Sequence, residues 1–253
     1  MRSLPPIITP GLLASIRDHP DLPRHTWYLI AAATLCQLNR PDEISPIYQH
    51  ALQHGTGGGI APSHEEKLLI SRRIREALIK AAAVGGVPRT INALLELKKV
   101  TPDALLDEPE SFSPTGRRAD VYDTPAPVIM QRGQEFFETV YGKVTRRVMD
   151  QMDHSGTEDL GLVARLMYGY VLSNTSVLSA SETSLVMIAS LIPLDVNPQL
   201  KGHLRGALNG GATVEQVKAV RNVAVQICVA AGMKVLDDNS PAGHGWRSEV
   251  ADL

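Results

Sequence analysis

The strongest constraint on this chain is that it resembles itself. Displaced by 156 positions, residues 26–55 (TWYLIAAATLCQLNRPDEISPIYQHALQHG) lie without a gap over 182–211 (ETSLVMIASLIPLDVNPQLKGHLRGALNGG). Identities fall at Leu29/Leu185, Ala33/Ala189, Leu35/Leu191, Leu38/Leu194, Ala51/Ala207, Leu52/Leu208 and Gly55/Gly211, with conservative pairs at Ile30/Val186, Thr34/Ser190 and Ile44/Leu200. The matched positions are those that two helices joined by a corner need: a small and aliphatic stripe, a turn containing Pro and Asp, a second stripe and a closing Gly. Each copy is followed by a further amphipathic segment, 70–85 in the first and 214–231 in the second, so the expected unit has three helices.

Helices are expected throughout. Aromatic residues make up only 4% of the chain, and the apolar positions are Ala, Leu, Val and Ile at three- and four-residue spacing, which suits helices packed on helices. Val217, Val220, Ala224, Ile227 and Ala231 form one such stripe. The preceding Thr213-Val-Glu-Gln216 reads as a capping box and Gly232 as a stop. A second stripe, Phe137, Val140, Tyr141, Val144, Val148 and Met152, predicts a single core-facing helix over about 128–152. The fold class is therefore all-α, built on a duplicated three-helix unit.

Four prolines and no apolar period mark 108–127 as an exposed connection. The expected organisation is a first, degenerate helical repeat over 1–107, a linker over 108–127, a second repeat over 128–236 and an irregular tail over 237–253. A chain of 253 residues with 43% hydrophobic content buries a sizeable core without disulfides or metals. Its 25 basic residues are interleaved with 27 acidic ones for a net charge of -2, which argues against a nucleic-acid surface. Cys36 and Cys228 are too few for a disulfide framework and fit a reducing compartment.

The longest apolar runs, 29–36 and 185–194, fall far short of the roughly 20 residues that cross a bilayer, so no membrane partner is expected. Pro5, Pro6 and Pro10 interrupt any signal-peptide core, Asp18 and Asp21 argue against a transit peptide, and the terminal ADL matches no peroxisomal address. The default expectation is an intracellular, cytoplasmic protein, with an organelle left open.

The two copies share their packing residues and differ at polar ones, and that difference locates a candidate site. Glu182 stands opposite Thr26, and His203 opposite Ile47. A carboxylate beside an imidazole can move protons near neutral pH. Glu182 has an equally specific structural reading, because Ser179-Ala-Ser-Glu182 is itself a capping box, and His203 can be an ordinary helix residue. In a straight hairpin turning near Asn197-Pro198, His203 lies about 8 Å up one helix and Glu182 about 16 Å down the other. They meet only across a steep crossing, a water or a subunit boundary. His50 and His54, one helical turn apart, make half a metal site with nothing to complete it. Asp237-Asp238-Asn239 lacks the alternate spacing of a calcium loop. The glycines of 55–59 precede no Gly-Lys-Ser/Thr, so they read as a turn rather than a phosphate loop.

The run ETSLVMIASLIPLDVNPQLKGHLRGALNGGATVEQVKAV resembles the core of the carboxymuconolactone decarboxylase family. The shared pattern is a Glu opening one helix, a His in the next, then Gly-Ala-Leu-Asn and a Thr-x-Glu-Glu-type helix start. Gly133, Val140-Tyr-Gly142 and Tyr168-Gly-Tyr170 resemble the segment upstream of that core. The likeness covers about 130–232, more loosely the first half, and two copies in one chain look like a fungal-type member. The resemblance implies the all-helical alkylhydroperoxidase-D-like fold, assembly as trimers, hexamers or dimers, and no metal or organic cofactor. It also implies lyase or isomerase chemistry, proton transfer or decarboxylation, on a small lactone or carbonyl acid. Glu182 and His203 occupy the family's Glu and His positions as catalytic candidates, and Tyr170 and Arg205 are candidates for substrate binding. A non-catalytic oligomeric scaffold or small-molecule binder is the alternative. Two departures stand out. The Cys-x-x-Cys of the peroxidase branch is replaced at Val196 and Gln199, which removes thiol peroxidase chemistry. The Arg residues that commonly flank the Glu are replaced by Ser181 and Thr183, which weakens recognition of a dicarboxylate.

Overall fold

The computed structural model describes residues 4–55, 61–107, 113–237 and 244–253. The glycine-rich turn beyond Gly55, the first five residues of the expected linker and Asp238-Asn239 lie outside them. Helices run α1 Pro10–Arg17, α2 Trp27–Gln37, α3 Ile44–His54, α4 His64–Gly85, α5 Val87–Val100, α6 Arg117–Tyr122, α7 Ala126–Tyr141, α8 Thr145–Asp153, α9 Asp159–Leu166, α10 Ala180–Leu191, α11 Asn197–Asn209 and α12 Val214–Ala230. The protein is all-α. The only strands among the described residues are the two-residue β1, Lys234–Val235, and β2, Gly245–Trp246, which pair in parallel.

The centre of the core is α2 against α10. Every residue of α2 is buried, and so is α10 from Thr183 to Leu191. A helix apolar on all sides has no solvent face to present and must be surrounded. Here α4, α12 and the α3 and α11 hairpin partners surround this pair. Ala31, Ala32 and Ala33 leave room for close approach, and Thr34 Oγ1 donates both to Ile30 O at 2.9 Å and across the interface to Ala189 O at 3.3 Å. Ser190 makes the same backward bond, to Val186 O at 2.8 Å. Both hydroxyls thus stay satisfied in an apolar setting. In each half a helix, a short 3-10 turn and a second helix follow one another: α2, Pro41–Glu43 and α3, then α10, Ile192–Leu194 and α11.

The long helix expected over 128–152 is two helices. Gly142 adopts a positive φ of 50°, which a helix cannot continue through without strain for other residues, and a 3-10 turn over Gly142–Val144 restarts the chain as α8. The apolar stripe that suggested one helix is real. It is interrupted at Gly142 and resumes in α8.

The expected linker is also more than a connection. It contains α6, whose Arg117 forks onto the buried Glu76 of α4 at 2.6 and 2.7 Å, while Arg132 of α7 holds Asp120 at 2.7 Å. Lys80, fully buried on α4, donates to Leu172 O at 2.8 Å and Asn174 O at 2.7 Å. It thereby pins the π-helical turn Met167–Leu172 that follows α9. Burial lowers the Lys80 pKa to about 8 despite Glu76 beside it. The tail, expected to be irregular, is anchored by Trp246, which donates its indole N–H to Ile192 O at 2.8 Å, and by Arg221 of α12, which donates to Val250 O and Ala251 O at 2.6 and 2.7 Å.

Candidate functional site

Glu182 sits in the first turn of α10, inside the capping box anticipated from Ser179-Ala-Ser-Glu182. Its backbone N–H donates to Ser179 Oγ at 3.2 Å, and its Oε2 accepts from Ser179 N at 2.9 Å. The other oxygen, Oε1, accepts from Arg73 Nη2 at 2.6 Å. Arg73 comes from α4 in the first half and also donates to the Tyr28 hydroxyl and to His25 O, both at 3.1 Å. The cation absent beside Glu182 in sequence is therefore supplied from the other half of the chain. Burial alone pushes the carboxyl pKa up, but the Ser179 N–H and the Arg73 guanidinium outweigh it and leave it below the ordinary value. Glu182 is an ionised carboxylate.

His203 is in the middle of α11 and only 4% exposed. What puts it there is the crossing of α11 over α7. A Cβ on Gly202 would come within 2.9 Å of Tyr141 Cε1, and one on Gly206 within 2.7 Å of Val140 Cγ1 and 3.0 Å of Val140 O. Two glycines one turn apart let α7 close onto α11 where a larger residue would hold it off. The Tyr141 ring then meets the imidazole edge to face, centroids 6.1 Å apart. Nδ1 of His203 has no hydrogen-bond partner among the described residues, and burial lowers its pKa to about 4. The imidazole is neutral at physiological pH.

Glu182 and His203 are not joined. Neither hydrogen-bonds the other, and neither carboxylate nor imidazole perturbs the other's titration. Instead the structure gives His203 an aromatic neighbourhood that the sequence reading did not single out. Burial raises the pKa of both Tyr141 and Tyr168, and Phe137 packs on both rings, tilted against Tyr141 with centroids 4.4 Å apart and edge to face on Tyr168 at 4.7 Å. Both tyrosines were within the motifs quoted above, Val140-Tyr-Gly142 and Tyr168-Gly-Tyr170, but only the α7–α11 crossing distinguishes them from their neighbours. Tyr170, the expected candidate, lies half-buried on the π-helical turn, where its carbonyl accepts from Arg117 Nε at 3.2 Å.

Tyr141 also lines a cleft of about 780 Å³ between the end of α7, α8 and α11. Lys143, Arg147, Lys201 and Arg205 line it, together with Gly202 and Asn209. Arg205 thus lines the same cleft as Tyr141, whereas His203 does not line it and meets it through its contact with the Tyr141 ring. Elsewhere, His50 and His54 stack with centroids 4.0 Å apart while Arg17 Nη1 lies 3.1 Å from His50 Nε2, a guanidinium where a second cation would be repelled. No group of three His, Cys, Asp or Glu residues suited to a metal occurs among the described residues. Both cysteines are buried, and burial raises the Cys36 pKa to about 11 and that of Cys228 further, the opposite of what a reactive thiol needs. No helix among the described residues is long and apolar enough to cross a membrane.

Comparison with known proteins gives this geometry a family. The model of the carboxymuconolactone decarboxylase family matches residues 162–236, which include α10, α11 and α12. Peroxisomal protein 2 of Schizosaccharomyces pombe is 41% identical over 212 residues, 83% of this chain and 89% of that protein. Peroxisomal protein 2 of Saccharomyces cerevisiae is 31% identical over an alignment covering 93% of this chain and 94% of that protein. No solved structure matches. With the family's own pattern over its second half and fungal relatives along most of its length, the chain belongs to the carboxymuconolactone decarboxylase family.

Proposed function

We propose that the α7–α11 cleft binds a small carbonyl or lactone acid and moves a proton on it or releases its carboxyl group as carbon dioxide, without a cofactor. One observation carries this reading. In the alignment of the two halves His203 stands opposite Ile47, which is fully buried, yet the His203 Nδ1 is buried without a hydrogen-bond partner among the described residues. An unpaired polar atom in a core costs free energy that an isoleucine there does not. Chemistry at the site is the reason to keep it. Arg205 and Lys201 attract the substrate carboxylate, and Tyr141, held protonated, offers a hydroxyl to a developing enolate oxygen. In decarboxylation the bond to the carboxylate carbon breaks, its electron pair enters the enolate, and the Tyr141 hydroxyl donates the proton that returns to carbon and regains one from solvent, while His203 packs on the Tyr141 ring and positions it. Glu182, ionised and held by Arg73, orients α10 in this reading and hands over no proton.

The test is turnover of a panel of β-keto and lactone acids, read as carbon dioxide release and solvent deuterium incorporation. His203→Gln and Tyr141→Phe are expected to lose roughly 10²–10⁴-fold, and Glu182→Gln far less. Full activity in His203→Gln overturns the reading.

The second reading, a non-catalytic binder or scaffold, is favoured by the way Ser179 and Arg73 occupy both oxygens of Glu182. It expects no turnover on the panel and only stability losses in the variants. Under either reading self-association is supported by Leu160, Leu162, Val163 and Leu166 of α9, each 45–50% exposed, and light scattering checks it. The names of the two relatives support a peroxisomal location for this chain, which microscopy of the protein tagged at its N-terminus checks. The similarity of the two halves supports descent from one three-helix unit.

A further inference from the structure

Arginines elsewhere in the second half are paired. Arg132 holds Asp120, Arg165 holds Asp153 and Arg247 holds Asp195, at 2.6 to 2.7 Å. The four cations of the α7–α11 cleft differ, because Lys143, Arg147, Lys201 and Arg205 make no ion pair among the described residues, and no Asp or Glu lines the cleft with them. Lys143 also borders a neighbouring cleft that Glu138, Asp150 and Asp153 line, where Asp150 faces Arg146 and Asp153 holds Arg165. Lys201 and Arg205 stand one turn apart on α11, and Lys143 and Arg147 four residues apart across from them. Like charges at that spacing repel, and no acid among the described residues that line this cleft offsets them there.

A single carboxylate is satisfied by one guanidinium, and two carboxylates by two cations. Four cations without an ion pair among the described residues match a ligand group of higher charge with several acceptor oxygens, and the cleft of about 780 Å³ exceeds what a small lactone acid fills. We infer that the substrate of this cleft carries a phosphate-ester or diphosphate handle, which Lys143, Arg147, Lys201 and Arg205 hold while its acyl or carbonyl end reaches Tyr141. The inference rests on the proposed function for where the reacting end lies. The handle itself is recognised by charge and requires no reaction.

The experiment is calorimetric titration of the full chain at low salt with ADP, inorganic pyrophosphate and succinate. ADP and pyrophosphate are expected to bind about tenfold or more tighter than succinate. The paired substitutions Lys143→Ala/Arg147→Ala and Lys201→Ala/Arg205→Ala should each weaken ADP about tenfold. Arg146→Ala, which removes one cation from an exposed position of α8, should leave it unchanged. Succinate binding as tightly as pyrophosphate overturns the inference, as does an equal loss in Arg146→Ala. Pyrophosphate binding without ADP binding overturns the ester handle in favour of a free-phosphate site, and capture by anionic phospholipid vesicles without ADP binding overturns it in favour of a membrane surface. Binding is read without turnover, so it separates from the proposed reaction. ADP binding intact in a His203→Gln variant that keeps full activity sinks the reaction alone. Loss of turnover in that variant with no ADP binding by the wild type sinks the handle alone.

Discussion

Arg73 on α4 closes onto Glu182 at the start of α10 with an Nη2–Oε1 distance of 2.6 Å, across 109 residues of sequence. The two side chains are 13% and 21% exposed, so solvent screens the pair less than it screens a surface bridge. Glu182→Gln and Arg73→Met are each expected to lower the stability of the chain by about 1 kcal/mol. In a urea-unfolding double-mutant cycle most of that loss should appear as coupling between the two. Additive single losses would show that the carboxylate acts only as a cap.

His203 makes the fold sensitive to acid. Its folded pKa of about 4 lies below the ordinary 6.5, so between those values the unfolded chain takes up a proton that the folded chain excludes. The contribution is complete above pH 6.5 and is lost as pH falls toward 4, by roughly 3 kcal/mol. His203→Ile, which restores the residue type of the first half, should flatten that slope and match or exceed wild-type stability at pH 7. Denaturant midpoints at pH 7 and pH 4.5 measure both. An unchanged slope would place the acid sensitivity elsewhere.

Gly206→Ala drives a methyl group into Val140, whose carbonyl oxygen would lie 3.0 Å away. Backbone cannot swing aside as a side-chain tip does, so the crossing of α7 and α11 has to open. A loss of about 1–3 kcal/mol is expected, together with loss of the Tyr141–His203 contact, visible as a shift of the His203 ring resonances. Wild-type stability and an unmoved resonance would show that the crossing has slack.

The thiols should be silent. With Cys36 buried and pushed up to about 11 and Cys228 higher still, a colorimetric thiol reagent at pH 8 is expected to react with neither residue in the native protein and with both after unfolding. Rapid native labelling, or consumption of peroxide, would reopen a redox role.

Helical segments and their caps were legible in the sequence because they are local, whereas the corner expected near Asn197-Pro198 falls earlier, at Ile192–Asp195, and Asn197-Pro198 opens α11. A helix stripe repeats every few residues, and a capping box spans four. Ser179 with Glu182 and Thr213 with Gln216 form as the spacing predicts. The stripe over 128–152 misled for the same reason: periodicity reports which residues face the core, and a chain that turns at Gly142 and resumes keeps that property. The candidate site was half legible. Comparing the copies picked out His203 against Ile47, whereas its neighbours Tyr141 and Tyr168 carry no local mark that separates them from Tyr170.

By itself, then, the sequence determined an all-helical chain, its family pattern from Glu182 to His203, and the absence of a Cys-x-x-Cys. Only the tertiary structure decided that Glu182 pairs with Arg73 instead of His203, that two glycines bring Tyr141 onto the imidazole, and that four cations without an ion pair among the described residues share one cleft. Those relationships depend on how helices distant in sequence cross and approach. Crossing angle and approach are set by side-chain volume summed over both partners, and no window along the chain contains that sum.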